Sequence, residues 1–494
     1  MVTAALALGS FLAALEATAV AAAVPTAVGQ MGGVARFSWV FSAYLLTSTT
    51  TVPLYGKLAD LYGRRHTYHA AVVLFLLGSA LSGMAQSLEQ LIVFRAIQGL
   101  GAGGVMPIAT TLVGDLFTLE ERGRMQALFS SIWAASSLIG PLLGGLITDA
   151  LSWRWIFYLN VPFGIASSLI LQRYLREEEA GRREHRLDIL GTVSLTVGIT
   201  FLLLALTEGP EVWGWGDPRT LAFLAGTVIA LAVFFWQEQR APEPMLPLGL
   251  FRNRVISVSG LGNTVIGALL MAMTAYIPIF GQGVLGGSAT DAGIILAPVL
   301  IGWPIASVVA ARSLLKVSYR TMTVAGAALL IVGTVLLAQV DAGTGRTEVM
   351  VSIFVIGLGL GFSSMPYLIA VQNAVPWKLR GVATSTVQFF RTMGGAIGVA
   401  ALGALFNARL QARAPGLDAN EMLDPALRAR IPPGTLDRLT GGMLYGLQGI
   451  YLVLAGIAIA SLAVALLFPR GSARSLSNRE ARAEAQPSHP EVGL

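Results

Sequence analysis

The 494-residue sequence contains no cysteine, so it forms neither disulfides nor thiolate metal sites and offers no cysteine nucleophile. Its four histidines, His66, His69, His185 and His489, show no HExxH spacing and lie mostly in predicted loops and the tail. We therefore expect no metal site and no other cofactor.

Charge is also scarce. Charged residues make up 12% of the chain, against about 25% in soluble domains, and hydrophobic residues make up 54%. The basic residues behind the net charge of +6 are spread through short loops, which excludes a nucleic-acid footprint. No G-x-x-x-x-G-K-[ST] run is present, so ATP binding through a P-loop is not expected. These properties exclude an ordinary soluble enzyme and indicate an integral membrane protein.

The rest of the sequence consists mainly of long apolar runs. A bilayer core about 30 Å thick needs about 20 apolar residues to be crossed by a helix. The sequence predicts fourteen such spans, at 3–26, 38–57, 68–86, 90–113, 125–148, 155–175, 189–207, 220–237, 255–278, 291–311, 321–340, 347–371, 382–407 and 444–468. No Lys or Arg precedes the first run, which argues against a cleavable signal peptide.

The basic residues predict the orientation. Loops after even-numbered spans, together with the tail, carry 22 of the 33 Lys and Arg residues. The opposite loops carry 4, apart from the long loop 408–443. Because basic loops stay inside, we expect both termini to be cytoplasmic and the chain to lie in the plasma (inner) membrane.

The chain also repeats itself at an offset of about 258 residues. Arg122-Gly123 matches Arg380-Gly381, and Gly99 and Gly103 match Gly357 and Gly361. The repeat predicts an all-α membrane fold of two pseudo-symmetric six-helix bundles with two inserted helices, and a binding site between the bundles near the midplane. The expected domains are 1–175 and 241–468 for the bundles, 176–240 for the insert, and 469–494 for a disordered cytoplasmic tail.

Several motifs resemble one known family. GKLADLYGRR, at 56–65, resembles the loop 2–3 signature of the major facilitator superfamily, and Arg95-Ala-Ile-Gln-Gly-Leu-Gly resembles its second motif. Gly140-Pro141-Leu-Leu-Gly-Gly resembles its antiporter motif. Leu15-Glu16-Ala-Thr and the segment 153–162 resemble the fourteen-helix drug/proton antiporter branch, although that branch usually has Asp at Glu16 and a basic residue at Leu61. The resemblance runs from about residue 3 to about residue 468.

Glu16 is the predicted proton carrier. It lies about twelve residues, or roughly 18 Å, into span 1. An ionisable group at that depth costs about 2.5–3.5 kcal/mol to insert, so it should face the bundle interior or a wet cavity. Burial favours the protonated carboxyl and a nearby cation favours the carboxylate, so such a group can exchange a proton with a cationic substrate. The alternative is a Glu that bonds a neighbouring helix and never titrates.

Arg95 lies roughly 8 Å from the outer end of span 4, at a depth similar to Glu16, and Gln98 is one turn further on the same face. The resemblance implies that Arg95 adjusts the pKa of Glu16 or relays its protonation to helix movement. A structural ion pair is an equal alternative. Arg391 in span 13 is the other cation expected inside the membrane.

The turn after span 2 is expected to form a cytoplasmic gate. Gly56 and Gly63 permit close approach or unusual backbone angles. The resemblance implies that Asp60 meets a helix N-terminus of the other half and that Arg64, followed by Arg65, pairs with Asp115. An ordinary basic anchor loop is the alternative.

Small residues predict close helix contacts. Gly140, Pro141, Gly144 and Gly145 fit either a hinge or proton seal, as the resemblance implies, or simple close packing. Gly99, Gly101 and Gly104 match the dinucleotide-binding pattern G-x-G-x-x-G, but no strand precedes them, so a nucleotide site is not expected. We instead expect helix–helix contacts at Gly99, Gly103, Gly357 and Gly361. The candidates for the lining of a substrate cavity share aromatic, Met or polar side chains, and are Gln98, Trp133, Met271, Tyr276, Tyr367, Gln388, Phe389 and Arg391.

The sequence therefore predicts a monomeric proton-coupled exporter of lipophilic, cationic drugs that works by alternating access. Its expected partners are a small-molecule substrate, protons and the lipid bilayer, and not nucleic acid. Three alternatives remain at this point: an exporter of one metabolite such as an amino acid, a lipid transporter, and a sensor that binds without transport.

Overall fold

The structure is a computed structural model that describes residues 1–116, 119–175, 188–209, 213–242, 244, 246, 248–314, 316–375, 380–417 and 419–469. Secondary structure in these ranges is helical, without strands. The α-helices are α1 (Val2–Met31), α2 (Phe37–Tyr62), α3 (Arg64–Met84), α4 (Leu88–Leu116), α5 (Leu119–Ala150), α6 (Arg154–Tyr174), α7 (Ile189–Glu208), α8 (Pro218–Glu238), α9 (Arg254–Ile279), α10 (Ala289–Ser313), α11 (Tyr319–Ala338), α12 (Arg346–Asn373), α13 (Arg380–Arg413), α14 (Pro425–Arg428) and α15 (Pro433–Leu467). The predicted tail, apart from Pro469, lies outside the described residues.

The prediction of an all-helical membrane protein is confirmed. In the described part of the chain, twelve helices are long and apolar enough to cross a membrane. The other two long helices are α2 and α5. A run of hydroxyl side chains at 47–51 makes α2 less apolar, and several of these hydroxyls, such as that of Thr47, donate to carbonyls of their own helix. Fourteen spans therefore remain a prediction, and twelve of them correspond to helices that are long and apolar enough to cross a membrane.

Several helices extend beyond the predicted apolar runs, because backbone hydrogen bonding continues outside the apolar segment. The 34 residues of α13 are roughly 50 Å long. We call the face of the molecule at which α1 ends the upper face, and the face at which α1 begins the lower face. Charge distribution predicts that the upper face is extracellular.

The loop predicted at 408–443 packs against the upper face as a small cap. It contains the end of α13, a 3-10 turn (Ala419–Met422), α14 and the start of α15. Asn420 Oδ1 accepts from the backbone N–H of Val34 at 2.8 Å, and Arg428 donates to the carbonyls of Gln282 and Gly283 at 2.9 and 2.7 Å. The cap thus joins the segment after α1 to the segment after α9.

Glycines bring equivalent helices together in the two halves of the sequence repeat. A Cβ atom on Gly99 or Gly103 would overlap α2 at the carbonyls of Tyr44 and Ser48. Likewise, a Cβ atom at 357 or 361 would overlap the backbone of α10 at 299 and 303. The repeat in sequence therefore corresponds to a repeated contact, of α4 with α2 and of α12 with α10.

The inserted pair packs beside two helices that belong to different halves of the repeat. α7 and α8 pack on each other, and α7 also contacts α2 and α13. Leu195, Ile199 and Leu203 of α7 share an apolar cluster with Leu46 of α2 and Met393 of α13. Trp39 Nε1 donates to Thr207 Oγ1 at 2.8 Å, which fixes the upper end of α7.

The close contact of α12 with α10 predicts a cost for any side chain at Gly357. We expect Gly357→Val to lower the melting temperature of the purified protein by several degrees, because the new side chain must displace the backbone at Val299. Gly456→Val is the matched control, since Gly456 also lies inside a helix and nothing lies within 4 Å of its Cβ position. Equal melting temperatures for the two variants would contradict the prediction.

Candidate functional site

An ion pair between α1 and α4 is the centre of the candidate site. Arg95 Nη1 donates to Glu16 Oε1, and both side chains are buried, each residue being 2% exposed. The sequence places these residues at similar depths, and the structure brings them into direct contact. A buried charge without a partner is strongly unfavourable, so this contact fixes α1 against α4.

Further groups hold the Arg95 guanidinium. Nη1 also donates to Gln98 Oε1 at 2.8 Å, and Nε donates to the carbonyl of Val40 at 3.3 Å. The guanidinium carbon lies 4.2 Å from the ring centroid of Tyr44 on α2. Gln98 was predicted as a cavity-lining residue, but its amide is fully buried in this cluster.

The second oxygen of Glu16 is bound by α6. Asn160 Nδ2 donates to Glu16 Oε2 at 2.6 Å and to Ser79 Oγ at 2.9 Å. Ser79 Oγ also accepts from Gln98 Nε2 at 3.2 Å and donates to the carbonyl of Phe157 at 2.8 Å. Five helices, α1, α2, α3, α4 and α6, therefore meet at one hydrogen-bonded cluster. We call the side chains of Glu16, Ser79, Arg95, Gln98 and Asn160 the acid–base cluster.

Local sequence explains why these helices approach so closely. Arg95 and Gln98 are three residues apart and therefore share one face of α4. Gly78 precedes Ser79, and a Cβ atom on Gly78 would overlap the backbone of Gln98. Gly99 allows the same approach of α2 on the other side. Glycines beside the polar residues let short side chains such as Ser79 reach across the interface.

The antiporter motif lies where α1, α5 and α10 meet. Cβ atoms on Gly140 and Gly144 would overlap Thr18 and Ala19 of α1, and one on Gly145 would overlap the start of α10 at Thr290. Gly293 of α10 in turn packs against the carbonyl of Pro141. The motif therefore provides close packing here, and its predicted role as a hinge or proton seal remains a prediction.

A second polar contact joins α5 to α10 at the upper face. Asp149 accepts from the backbone N–H groups of Ala289 and Thr290 at 3.1 and 2.9 Å, and from the Thr290 hydroxyl. These are the first amides of α10, and the N-terminus of a helix favours a negative charge. Gln282, in the turn that follows α9, is linked to α1 through Thr26 and the carbonyl of Ala22. These contacts join helices of the two halves of the repeat at the upper face.

The structure gives a partial view of the predicted gate on the lower face. Gly63 links α2 to α3 with φ of +86°, a conformation that favours glycine. Arg64 and Arg65 begin α3, and Arg65 donates to the carbonyl of Leu175 at 3.4 Å. Gly56 is exposed, and nothing lies within 4 Å of its Cβ position. The side chains of Asp60 and Asp115 lie outside the described residues, so the gate stays a prediction.

The remaining cavity candidates are not brought together with the acid–base cluster. Tyr276 and Tyr367 are buried in packing: the Tyr276 hydroxyl donates to the carbonyl of Val399 at 2.7 Å, and the Tyr367 ring lies 5.5 Å from that of Phe468. Met271 and Phe389 are partly buried and Gln388 is exposed. The guanidinium of Arg391 lies 5.5 Å from the ring centroid of Trp303. The side chain of Trp133 lies outside the described residues.

Sequence reasoning did not identify three members of the site. Ser79, Tyr44 and Asn160 were not among the predicted site residues. A signal was present for Asn160, because an amide inside an apolar span needs a polar partner. Ser79 carried no such signal, since a serine satisfies its hydroxyl on its own helix in many membrane segments.

A buried acid–base cluster in apolar helices is typical of membrane transport proteins. Residues 6–399 match the family model described as Major Facilitator Superfamily. The chain belongs to the major facilitator superfamily, and it is a multi-pass membrane transporter and not an enzyme.

Named relatives cover most of the chain. Multidrug resistance protein 3 of Bacillus subtilis (strain 168) is 34% identical over 490 residues, which are 96% of this chain and 95% of the relative. Multidrug transporter protein MdtP of the same organism is 38% identical over 402 residues, 81% of this chain and 74% of the relative. The crystal structure of the POT family transporter PepTSo matches 97% of this chain and 98% of its own with a TM-score of 0.62 at 14% identity, which supports the fold alone.

The buried ion pair predicts a large effect of removing one partner. We expect Arg95→Met to lower the melting temperature strongly, because breaking a buried pair typically costs about 3–5 kcal/mol. Arg36→Met is the control: Arg36 pairs with Glu89 and Glu208, but its side chain is 43% exposed, and exposed pairs contribute about 0–1 kcal/mol. Adding Glu16→Gln to Arg95→Met should recover part of the loss. A double variant no more stable than Arg95→Met would contradict this electrostatic explanation.

Proposed function

We propose that this transporter is a proton-coupled exporter of lipophilic, cationic compounds. The observation that carries the proposal is the buried pair of Glu16 and Arg95 at mid-helix depth. A carboxylate bound by a cation and an amide can give up these bonds when it takes a proton. A cationic substrate near Glu16 favours the deprotonated form, so substrate binding and proton binding oppose each other. Such opposition is the basis of antiport.

The names of the relatives support the substrate class. Multidrug resistance protein 3 and MdtP are both named for the transport of, or resistance to, multiple drugs, and the aligned region includes nearly all of this chain in the first case. Proton coupling and the cationic nature of the substrates are our own proposal, based on Glu16.

We further propose that residues 1–175 and 241–468 form two bundles that alternate in access, with residues 176–240 as an insert beside them. The contact of Asp149 with the first amides of α10 supports this proposal, because it joins the bundles at one face and involves only a few hydrogen bonds. We assign the upper face to the outside and both termini to the cytoplasm, in the plasma membrane. We infer that the contacts at the upper face close this conformation to the outside.

Transport in everted vesicles tests the coupling. With an imposed pH gradient and ethidium as the fluorescent lipophilic cation, we expect wild-type vesicles to accumulate ethidium and Glu16→Gln vesicles to lose at least nine-tenths of this flux, since the proton site is gone. Glu348→Gln is the matched control, because Glu348 is an exposed acid in the first turn of α12. Flux that survives in Glu16→Gln would move coupling to another residue. Absence of flux in the wild type would favour the metabolite and lipid alternatives.

Cysteine labelling tests the closure of the upper face. The chain contains no cysteine, so Ser42→Cys provides a single label beside the carbonyl of Ala396 of α13. We expect Asp149→Asn to raise labelling of this cysteine by an impermeant maleimide several-fold in intact cells, because a charged contact with a helix N-terminus is lost.

Asp341→Asn is the control for this experiment. Asp341 is an exposed acid in the loop before α12, and it accepts hydrogen bonds within its own loop. Equal labelling in the Asp149 variant and in the control would contradict a role of Asp149 in closure.

A further inference from the structure

Asn160 uses only one end of its amide, although the whole side chain is buried beside Glu16. Nδ2 donates to Glu16 and to Ser79, whereas Oδ1 is buried without a hydrogen-bond partner. Leaving a buried acceptor unpaired is unfavourable. An unused acceptor next to a titratable acid therefore points to a second arrangement in which the acceptor is used.

The direction of each hydrogen bond in the cluster fits a deprotonated Glu16. Arg95 donates to Oε1 and Asn160 donates to Oε2. The Ser79 hydroxyl donates to the Phe157 carbonyl, so its oxygen is free to accept from Nδ2 of Asn160. A proton on Glu16 Oε2 would face an N–H group, and two donors cannot bond each other.

We propose that Asn160 is a positioning residue for proton coupling, whose amide reverses when Glu16 takes a proton. A half-turn about the Cβ–Cγ bond replaces the Nδ2–H donor by the Oδ1 acceptor, which then receives the O–H of Glu16. The proton remains on Glu16, and no covalent bond of Asn160 changes. This inference rests on the proposed proton coupling through Glu16.

The reversal has a structural consequence for α3 and α6. It ends the hydrogen bond from Nδ2 to Ser79 and places Nδ2 where Oδ1 now lies without a partner. New partners for Nδ2 require water to enter or α6 to move relative to α3. The bond from Ser79 to the Phe157 carbonyl of α6 stays, so the reversal removes one of the two polar links that Ser79 makes to α6. Protonation of Glu16 is thereby linked to helix packing.

Few titratable side chains face Glu16 from the helices packed against α1. Among the described side chains, the titratable ones are Arg95 on α4 and Tyr44 on α2. α3 and α6 contribute Ser79 and Asn160, and α5 meets α1 through the carbonyl of Ser136; none of these groups titrates in the accessible range. Asn160 is therefore the neutral group best placed to distinguish the two protonation states.

Titration of Glu16 tests the inference. The infrared C=O stretch of a protonated carboxyl is recorded against pH for purified protein in liposomes, and the spectrum of Glu16→Gln assigns the band. We expect Asn160→Leu to move the midpoint to higher pH by on the order of one pH unit, because the charge-assisted hydrogen bond that the carboxylate loses is stronger than the neutral hydrogen bond that the protonated acid loses. The pH profile of ethidium transport should shift in the same direction.

Two further variants keep the test decisive. Asn263→Leu removes a buried asparagine of α9 that bonds only its own helix in the described structure, and it should leave the midpoint unchanged. Ser79→Ala keeps Asn160 but removes the acceptor that holds Nδ2, so it should give a smaller shift in the same direction, and it replaces Asn160→Leu if that variant does not fold.

The outcomes separate this inference from the proposed function. An unchanged midpoint in Asn160→Leu, with a band that Glu16→Gln removes, would overturn the role of Asn160 and leave coupling through Glu16 intact. A band and a transport profile that Glu16→Gln leaves intact would overturn the proposed coupling through Glu16 itself. A purely structural role of Asn160 would lower the melting temperature without moving the midpoint.

Discussion

The fold of the first six helices depends on the buried charge of Glu16, which requires a partner of opposite charge. Inserting an ionisable residue at mid-helix costs about 2.5–3.5 kcal/mol, and a buried charge without a partner is worse. Glu16 on α1 therefore needs Arg95 on α4, and Arg95 needs the carbonyl of Val40 and the ring of Tyr44 on α2. These requirements set which helices must meet, and the glycines at 78 and 99 make the required distances possible.

The same helix also links the acid to the contacts at the upper face. Thr18, two residues after Glu16, donates to the carbonyl of Ser136 on α5, and Gly140 lets the two helices meet at that level. Further along α5, Pro141 contacts α10 and Asp149 binds its first amides. Contact along a path does not by itself create coupling. In the proposed mechanism the coupling element is the Asp149 contact, since it can be made or broken as the bundles move.

Sequence reasoning predicted the elements that follow from one-dimensional patterns. Apolar runs gave the helices, and counting residues along spans placed Glu16, Arg95 and Gln98 at a common depth. It could not predict that Ser79 and Asn160 complete the cluster, because they come from α3 and α6 and no spacing relates them to Glu16. Composition also cannot distinguish a cavity wall from a packed interior, which is why Tyr276 and Tyr367 were expected in a cavity although both are buried in packing.

Charge balance gives the sign of the proposed coupling. Within the described spans, Arg95 and Arg391 are cations deep in α4 and α13, and Glu16 is the acid that lies at comparable depth. With Glu16 deprotonated these groups sum to a single positive charge, and protonation makes the sum more positive. A cationic substrate is therefore repelled less when Glu16 has released its proton, so its binding favours proton release. An anionic metabolite would show the opposite dependence, because it would bind best while Glu16 is protonated. Protonation of Glu16 thus has opposite effects on the binding of cationic and of anionic substrates, whatever the shape of the cavity.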